Sequence, residues 1–494
     1  MNNKSEFDDF VTIEKDDLDN NNNIFSDNFL LDDQDDYLSS FITISNPKVD
    51  LVKSSAVFDP KSDFSILSSI KSLASSLYYN HFNLSDKFDL DDPTQLNNNK
   101  CLIFDESLSH NSLGQKQGTL SRIKTALKRV LYITYRNEFN NLTDSLGKEM
   151  SITTDCGWGC MLRACQMMLS KGIIERKIYK YIKNNETPSG GMDEVIEKIR
   201  KETALLFFDN NLPIEKVVNN HDFKFFWQKY VGLIEKEEDQ KEKERKNALK
   251  WVTPPYSIQT LCKVANCAGK WTSDYYMIKA FIEINEQLFN NTDGMVYLEA
   301  GNIKEEMLYK TFCEELKCTC DNNFTLLNSE NSICEECFQK YIQKNNRKMK
   351  RPELFKNNTK SYVFSKGGII FISFRLGLQK IEHEFIHCIP LLLLYFKNNI
   401  GFVGGKKNKA FYFVGVGNHR LLYLDPHLNQ TALKDNFDNI SSYEATTLYT
   451  LHAAKMSGAL TLGIVINNEF DLIEFIKDAK ILMKKNDKLI RIVP

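Results

Sequence analysis

The stretch that decides the fold is TTDCGWGCMLRACQMM, from Thr153 to Met168. It places a Gly-Trp-Gly turn directly before a run whose apolar residues recur at helical spacing. Cys160 therefore lies at or near the N-terminus of a predicted helix, where backbone N–H groups and the helix dipole favour an anion. A thiol in such a place has a lowered pKa. Cys160 is thus a candidate nucleophile, and a buried thiol is the alternative.

Two further cysteines flank this candidate nucleophile. Cys165 shares one helix face with Leu162 and Leu169, and is predicted to be a core residue. Cys156 lies before the turn, and its role stays open between a redox-active thiol and a plain buried or turn thiol. Because no fourth ligand pattern surrounds the three cysteines, they are not interpreted as one metal site.

A nucleophilic cysteine needs a base, and the base needs an orienting group. YLDPHLNQ, from Tyr423 to Gln430, offers both. Asp425 and His427 are two positions apart at the end of a predicted strand, so their side chains project from the same face. Pro426 lacks an N–H group, which suits a strand end. The carboxylate can orient one imidazole nitrogen and leave the other facing a thiol.

Composition bounds the class of protein. The chain has 494 residues and a net charge of −2, which gives no reason to expect a nucleic-acid partner. Its first ten residues are polar and acidic, unlike a secretory signal. Its longest apolar runs are far shorter than the ~20 residues of a membrane-spanning helix. We therefore expect a soluble, cytoplasmic protein with no transmembrane segment, whose 12 cysteines are reduced.

The chain is predicted to have three parts. Residues 1–115 are rich in Asp, Asn and Ser and are expected to form a disordered arm. Residues 116–480 form the folded domain, which carries a charged, Cys-containing insertion at about 304–362, and residues 481–494 form a C-terminal tail. Helical patterns come first, including one in LSRIKTALKRVLYITYRNEF, and short apolar strands such as KAFYFVGVG and RLLYLDPH follow. This order favours an α+β fold with segregated layers.

HEFIH carries the H-E-x-x-H pattern of zinc peptidases, with Glu384 between His383 and His387. No glutamate follows before Glu444, and no third histidine stands at the expected spacing. We therefore interpret the two histidines as partly buried residues on an amphipathic helix that ends at Pro390, not as a catalytic metal site.

The insertion offers a second metal pattern, C-x4-C-x-C followed by C-x2-C. Two close cysteine pairs separated by a short loop suit a structural zinc ion, and a segment that merely carries thiols is the alternative. The cysteines concerned are Cys313, Cys318, Cys320, Cys334 and Cys337.

With both stretches in view, the sequence resembles the autophagin family, the cysteine proteases that process the ubiquitin-like modifier of autophagosome membranes. The resemblance covers most of residues 120–475, but neither the acidic arm nor most of the insertion. It is carried by GWGCMLR (157–163), YRNEF (135–139), FRLGL (374–378), GGKKNKAFYFVGV (404–416) leading into YLDPHLNQ, and MSGALTLGIVI (456–466).

The resemblance implies a papain-like α+β fold with a small extra subdomain, and chemistry that needs no cofactor. It makes Cys160 the nucleophile, His427 the general base and acid, and Asp425 the orienting group. It also makes Tyr135 a hydroxyl donor to the oxyanion, beside the backbone N–H of Cys160. WVTP resembles the family's Trp-bearing substrate loop, so Trp251 is an expected substrate-cleft residue, although Thr253 stands where glycine is usual.

The resemblance further implies hydrolysis after the terminal glycine of the modifier, and release of the modifier from phosphatidylethanolamine. In the arm, Phe10–Ile13 resembles a short modifier-binding motif, and a stray apolar cluster is the alternative. A non-catalytic modifier-binding protein and an H-E-x-x-H zinc protease remain the alternative functions.

Overall fold

The computed structural model describes residues 87–89, 101–103, 119–184, 191–217, 251–289, 291–316, 339–340, 355–357, 360–417, 420–434 and 439–493. All belong to the second of two units into which the chain divides, Pro60–Pro494. The first unit, Met1–Asp59, lies outside the described residues, and with it the motif at Phe10–Ile13.

Helices and strands share the described residues, in agreement with the predicted α+β class. The strands are β1 Lys87–Asp89, β2 Cys101–Ile103, β3 Tyr135–Asn137, β4 Leu142–Thr143, β5 Glu149–Met150, β6 Leu212–Pro213, β7 Trp251–Val252, β8 Gly294–Leu298, β9 Asn302–Lys304, β10 Cys313–Leu316, β11 Phe355–Asn357, β12 Lys360–Phe364, β13 Gly368–Arg375, β14 Asn399–Lys406, β15 Lys409–Gly417, β16 Arg420–Leu424, β17 Asn429–Thr431, β18 Thr447–Leu451, β19 Ala459–Ile466 and β20 Arg491–Val493. The helices are α1 Thr119–Leu127, α2 Cys160–Asn184, α3 Met192–Ala204, α4 Ile214–Val217, α5 Ile258–Ala265, α6 Asp274–Leu288, α7 Glu305–Phe312, α8 Cys388–Tyr395 and α9 Glu469–Lys485.

One large sheet organises the unit, with strand order β1-β18-β16-β15-β14-β19-β13-β8 and with β2 added to β15. Its central strands are antiparallel, and only β8 runs parallel to its neighbour β13. The strands predicted from their apolar runs are present, and β15 and β16 form the predicted antiparallel pair. Strands β1 and β2 lie upstream of residue 116, so the sheet includes residues from the predicted arm.

The sheet separates two hydrophobic cores. Along β13, Ile369 and Phe371 face the core that holds α2, whereas Ile370 and Ile372 face the core that holds α8 and α9. Such alternation is the period-two pattern of a strand that is buried on both faces. The long helix α2 is therefore packed against one face of the sheet, and its first residue, Cys160, packs against Ala410 near the start of β15.

Several predicted boundaries differ from the structure. The helical pattern over residues 120–139 gives a helix only to Leu127, and a turn at 128–130 then leads toward β3. The helix does not continue because the backbone beyond it bonds to a remote segment: the N–H of Tyr132 donates to the carbonyl of Tyr443 at 2.8 Å.

The ends of the predicted insertion and tail are also part of the packed unit. Ile303, Leu308 and Phe312, near the start of the insertion, are fully buried. Helix α9 continues past residue 480, and β20 pairs with β9 in parallel. Four cysteines of the insertion lie outside the described residues: Cys318, Cys320, Cys334 and Cys337. No helix in the described ranges is both long and apolar enough to cross a bilayer.

Candidate active site

Cys160 is the first residue of α2, as the Gly-Trp-Gly turn predicts. Gly157 has a φ of 84°, a left-handed conformation that glycine adopts without a steric penalty. The turn closes when the N–H groups of Trp158 and Gly159 donate to the carbonyl of Asp155, at 3.1 and 2.9 Å. The thiol thus stands at the end of a 25-residue helix, where first-turn N–H groups face it.

Asp425 and His427 follow β16 directly. The Asp425 carboxylate contacts Nδ1 of His427 and also accepts from the backbone N–H of His427 at 3.0 Å. The carbonyl of Asp425 accepts from the hydroxyl of Tyr132 at 2.6 Å. These bonds hold the imidazole in one orientation, with its second nitrogen available to another group.

The structure brings the three predicted residues together. The Cys160 thiol and the His427 imidazole are hydrogen-bond partners, while His427 is paired with Asp425 on its other side. Cys160 is 3% exposed, and the side chains of His427 and Asp425 are 14% and 5% exposed. Residues separated by more than 260 positions in the chain therefore form one nearly buried chain of contacts.

The pKa values of the three groups are coupled. Burial lowers the pKa of His427, but the charge of Asp425 and hydrogen bonds to Asp425 and Cys160 outweigh it and raise that pKa to about 9. Burial raises the pKa of Cys160, yet the hydrogen bond and charge of His427 reverse this and lower it. The pKa of Asp425 is also lowered, because the effect of His427 exceeds that of burial. These shifts favour a thiolate–imidazolium pair near neutral pH.

Tyr135 lies beside the thiol. Its hydroxyl is a hydrogen-bond partner of Cys160, and burial, followed by the negative charge on Cys160, raises its pKa well above the usual value. Tyr135 therefore stays protonated and keeps a hydrogen to donate. Its N–H donates to the carbonyl of Pro426 at 2.8 Å, and its ring meets that of His427 edge-on at 5.3 Å.

The thiol has two further neighbours, of which sequence reasoning missed Ala410 and left the role of Cys156 open. The backbone N–H of Ala410 bonds to the Cys160 thiol and helps to lower its pKa. Cys156 packs in one small buried cluster with Tyr135, Cys160 and Ala410. The only sequence signal for Ala410 is its place in the GGKKNKAFYFVGV segment, since a backbone donor leaves no trace in residue type.

Trp251 lies on β7, where it pairs with Pro213 of β6. Trp251 is 48% exposed and is therefore not a core residue. Thr253, which stands where the resembling loop has glycine, donates its hydroxyl to the side-chain oxygen of Asn211 at 2.9 Å.

The H-E-x-x-H segment is not a helix. His383–Phe385 is a single 3-10 turn, and α8 begins at Cys388 with Pro390 in its first turn, where a missing N–H costs nothing. The predicted helix ending at Pro390 is therefore wrong. Both histidines are exposed, and Glu384 pairs with Lys488 at 2.9 Å.

Of the five cysteines whose spacing suits a structural zinc ion, only Cys313 lies within the described residues. It is buried in β10, and burial raises its pKa to about 12. Among the described residues, no group of three or more His, Cys, Asp and Glu side chains is placed to hold a metal ion.

Comparison with known proteins places the chain among cysteine peptidases. The Peptidase C54 catalytic domain matches residues 120–478. The chain is similar to Cysteine protease atg4da of Danio rerio, with 24% identity over 76% of this chain and 71% of the relative. It is also similar to two proteins of Xenopus laevis. Cysteine protease ATG4D is 21% identical over 69% of this chain and 64% of the relative. Cysteine protease ATG4C is 24% identical over 72% of this chain and 68% of the relative. The chain thus spans about two thirds of the length of these relatives.

Proposed function

The chain belongs to the peptidase C54 family of cysteine peptidases, the autophagins, and on that premise we propose that it cleaves after the C-terminal glycine of a ubiquitin-like autophagy modifier. The observation that carries the proposal is the hydrogen-bonded series from the Cys160 thiol through His427 to Asp425. A nucleophile, a base and an orienting carboxylate in this order are the arrangement of one established class of acyl-transfer site.

The reaction begins with attack of the Cys160 thiolate on the glycine carbonyl. The imidazolium of His427 then gives its proton to the departing amine, and a thioester to Cys160 remains. His427 next takes a proton from water, and hydroxide attack on the thioester releases the carboxylate and restores the thiol. Asp425 keeps the imidazole oriented and favours its charged form throughout.

Two donors are available for the oxyanion of each tetrahedral intermediate. One is the backbone N–H of Cys160 at the start of α2, and the other is the hydroxyl of Tyr135. Both are fixed before substrate arrives, so little reorganisation is needed when charge develops. The high pKa of Tyr135 supports this role, because a phenolate would repel the oxyanion.

The near burial of the site favours a substrate residue without a side chain. Cys160 is 3% exposed. The rings of Tyr135 and Phe411 pack against the ring of His427 in T-shaped contacts, with centroid distances of 5.3 and 5.7 Å. Walls of this kind reject larger residues by steric exclusion. We place Trp251 on the substrate cleft as part of the proposal, since its exposed ring can pack on an extended tail.

The proposed substrates are the modifier precursor and the modifier joined to phosphatidylethanolamine. In both, the scissile bond is an amide on the same glycine, so one thioester pathway serves both. Under the same proposal, the enzyme acts in the cytoplasm and takes part in protein transport by autophagy. Phe10–Ile13 is then an additional motif that binds the modifier.

The first prediction concerns cleavage by the thiol. The full-length chain is incubated with a modifier that carries residues beyond its terminal glycine, and the products are followed by mass spectrometry. The native chain should release those residues, and Cys160→Ala should reduce the rate by at least about 1,000-fold. Cys165→Ala is the matched control, because Cys165 is a core residue of the same helix. It should retain cleavage.

The other outcomes are distinct. Cleavage that survives Cys160→Ala but stops with a chelator would replace the thiol mechanism by a metal-dependent one. Tight binding of the modifier without any product over long incubation would instead indicate a non-catalytic binding protein. Repeating the assay with the phosphatidylethanolamine conjugate in vesicles tests the second substrate separately.

A further inference from the structure

We propose that Asp155, clamped by Arg163, is a positioning residue that fixes the two oxyanion donors relative to each other. The inference rests on the proposed function only for the roles of Cys160 and Tyr135. Asp155 touches neither substrate nor the reacting thiol, and acts through the segments that it joins. Sequence reasoning assigned no role to Asp155 or to Arg163.

Asp155 holds the strand that carries Tyr135. Its carboxylate oxygen Oδ1 accepts from the backbone N–H of Arg136 at 2.7 Å, and its own N–H donates to the carbonyl of Arg136 at 3.2 Å. Arg136 follows Tyr135 in β3. Two bonds to one residue set both the distance and the register between this strand and the turn, and so they set the position of the Tyr135 hydroxyl.

Asp155 also holds the start of α2. Its carbonyl accepts from Trp158 and Gly159, and its second carboxylate oxygen Oδ2 accepts from Nε of Arg163, in the first turn of the helix, at 2.6 Å. The backbone N–H of Cys160 is the next donor along this turn. One side chain therefore connects both predicted oxyanion donors, which sequence separation alone leaves 25 positions apart.

Arg163 makes the clamp rigid. Its side chain is 0% exposed, and it also binds both carboxylate oxygens of Asp209 at 3.0 Å. Burial lowers the pKa of Arg163, but the charges of Asp155 and Asp209 outweigh this effect and raise the pKa above its usual value. Loss of either carboxylate would leave a buried guanidinium poorly compensated, which is costly. Charge balance thus holds Asp155 in place.

The space around the clamp is filled. A methyl group added at Gly159 would lie 2.5 Å from Oδ2 of Asp155. Alanine at 159 would therefore displace the carboxylate while keeping every charge. The same helix supplies a matched control, because a methyl group at Gly172 would lie 2.5 Å from Cδ1 of Ile369, far along the helix from the thiol.

The test uses Asp155→Asn in the full-length chain, with Asp293→Asn as its control. Asp293 binds Arg176 of α2 at 2.6 Å, so both substitutions remove one carboxylate from a buried arginine of the same helix. One readout is the pH dependence of Cys160 alkylation by iodoacetamide, followed by peptide mass spectrometry. It needs no modifier, so it remains informative if the proposed substrate is wrong. The second readout is kcat and KM for modifier cleavage.

Asp155→Asn should move the alkylation midpoint to higher pH, because a displaced Cys160 loses the contacts that stabilise its thiolate. It should lower kcat by about 100-fold, the effect of a displacement of about 1 Å, with a much smaller change in KM. Asp293→Asn should leave both readouts at the native values. If Asp155→Asn does not fold, Gly159→Ala should give the same two changes and Gly172→Ala neither.

A folded Asp155→Asn protein with a native alkylation profile and native kcat would overturn the proposal. A lower melting temperature with both readouts unchanged would also overturn it, because Asp155 would then serve stability alone. If Gly159→Ala and Gly172→Ala change the alkylation midpoint and kcat equally, the effect arises from general crowding of α2, and the proposal fails as well.

Discussion

The central feature at the scale of single residues is that neither Cys160 nor His427 keeps its ordinary pKa. Each group is nearly buried, which disfavours its charged form. His427 offsets this for Cys160, and Asp425 together with Cys160 offsets it for His427. The sequence predicted which residues meet and, from the helix start, a lowered pKa for Cys160. It did not predict the raised pKa of His427, because this depends on burial and distance, which residue types alone do not specify.

A second prediction follows for Asp425→Asn. The pKa of His427, about 9 in the native protein, should fall, because the charge of Asp425 is the largest influence that raises it. The imidazolium exists below the pKa, so in the variant it should be lost at a lower pH. The pKa of Cys160 should rise in turn, since its stabilising cation is gone. NMR titration of the His427 ring protons measures the first change, and alkylation measures the second.

His452 is the internal control in the same titration. Burial, and then the positive charges of Arg420 and Lys455, lower its pKa. None of these causes involves Asp425, so the His452 midpoint should be unaffected by the substitution. A His427 midpoint that also stays near 9 would contradict the role assigned to Asp425.

At the scale of elements, α2 carries the site on a helix that is anchored in the core. Cys165, Met168 and Leu169 are all 0% exposed, and the helix packs against the sheet over most of its length. The predicted apolar face is confirmed, but burial extends beyond it to polar residues such as Arg163 and Gln166. The sequence pattern misses these because a buried polar residue resembles a solvated one until its partners are known.

The third prediction tests this anchor. Leu169→Ala should lower the free energy of unfolding by about 2–5 kcal/mol, because it removes apolar contacts and leaves a cavity. Ile182→Ala in the last turns of the same helix is the control, since Ile182 is 56% exposed. Urea denaturation followed by circular dichroism measures both. Equal losses in the two variants would show that Leu169 does not anchor the helix.

Helices and strands were predicted well where the periodicity of their own residues determines them. They were predicted poorly where hydrogen bonds to remote segments determine the local structure. Helix α2 and strands β13, β15 and β19 follow their apolar periodicity. The run from 128 to 139 also has helical periodicity, yet it contains a turn and the strand β3 in place of a helix. Hydrogen bonds from Tyr132 to Tyr443 and from Tyr135 to Pro426 hold it, and both acceptors are about 300 positions away in the chain.

At the scale of the whole molecule, the C-terminal segment is part of the fold. Leu489 and Ile490 are 3% and 0% exposed, within the core on the α9 side of the sheet. The following strand β20 pairs in parallel with β9. The C-terminal segment is therefore joined to the middle of the chain by backbone hydrogen bonds and apolar contacts.

The fourth prediction is that Ile490→Ala lowers stability by about 2–5 kcal/mol, the usual cost of removing a buried isoleucine side chain. Val493→Ala, at a position 39% exposed in the same segment, should cost much less. Thermal unfolding of the two variants at equal concentration compares them. A Val493→Ala loss as large as that of Ile490→Ala would contradict the assignment of Ile490 to the core.

The sequence by itself determined the local features of this protein: the turn and helix start at Cys160 and the strand that ends just before Asp425. These follow from short-range periodicity and backbone preferences, while family resemblance supplied the candidate residues of the catalytic site. Only the tertiary structure decided that a single carboxylate, Asp155, joins Tyr135 to the nucleophile turn, that Arg163 is buried between two acids, and that His427 titrates near pH 9. Those properties arise from burial and contacts between distant segments, which no local pattern encodes.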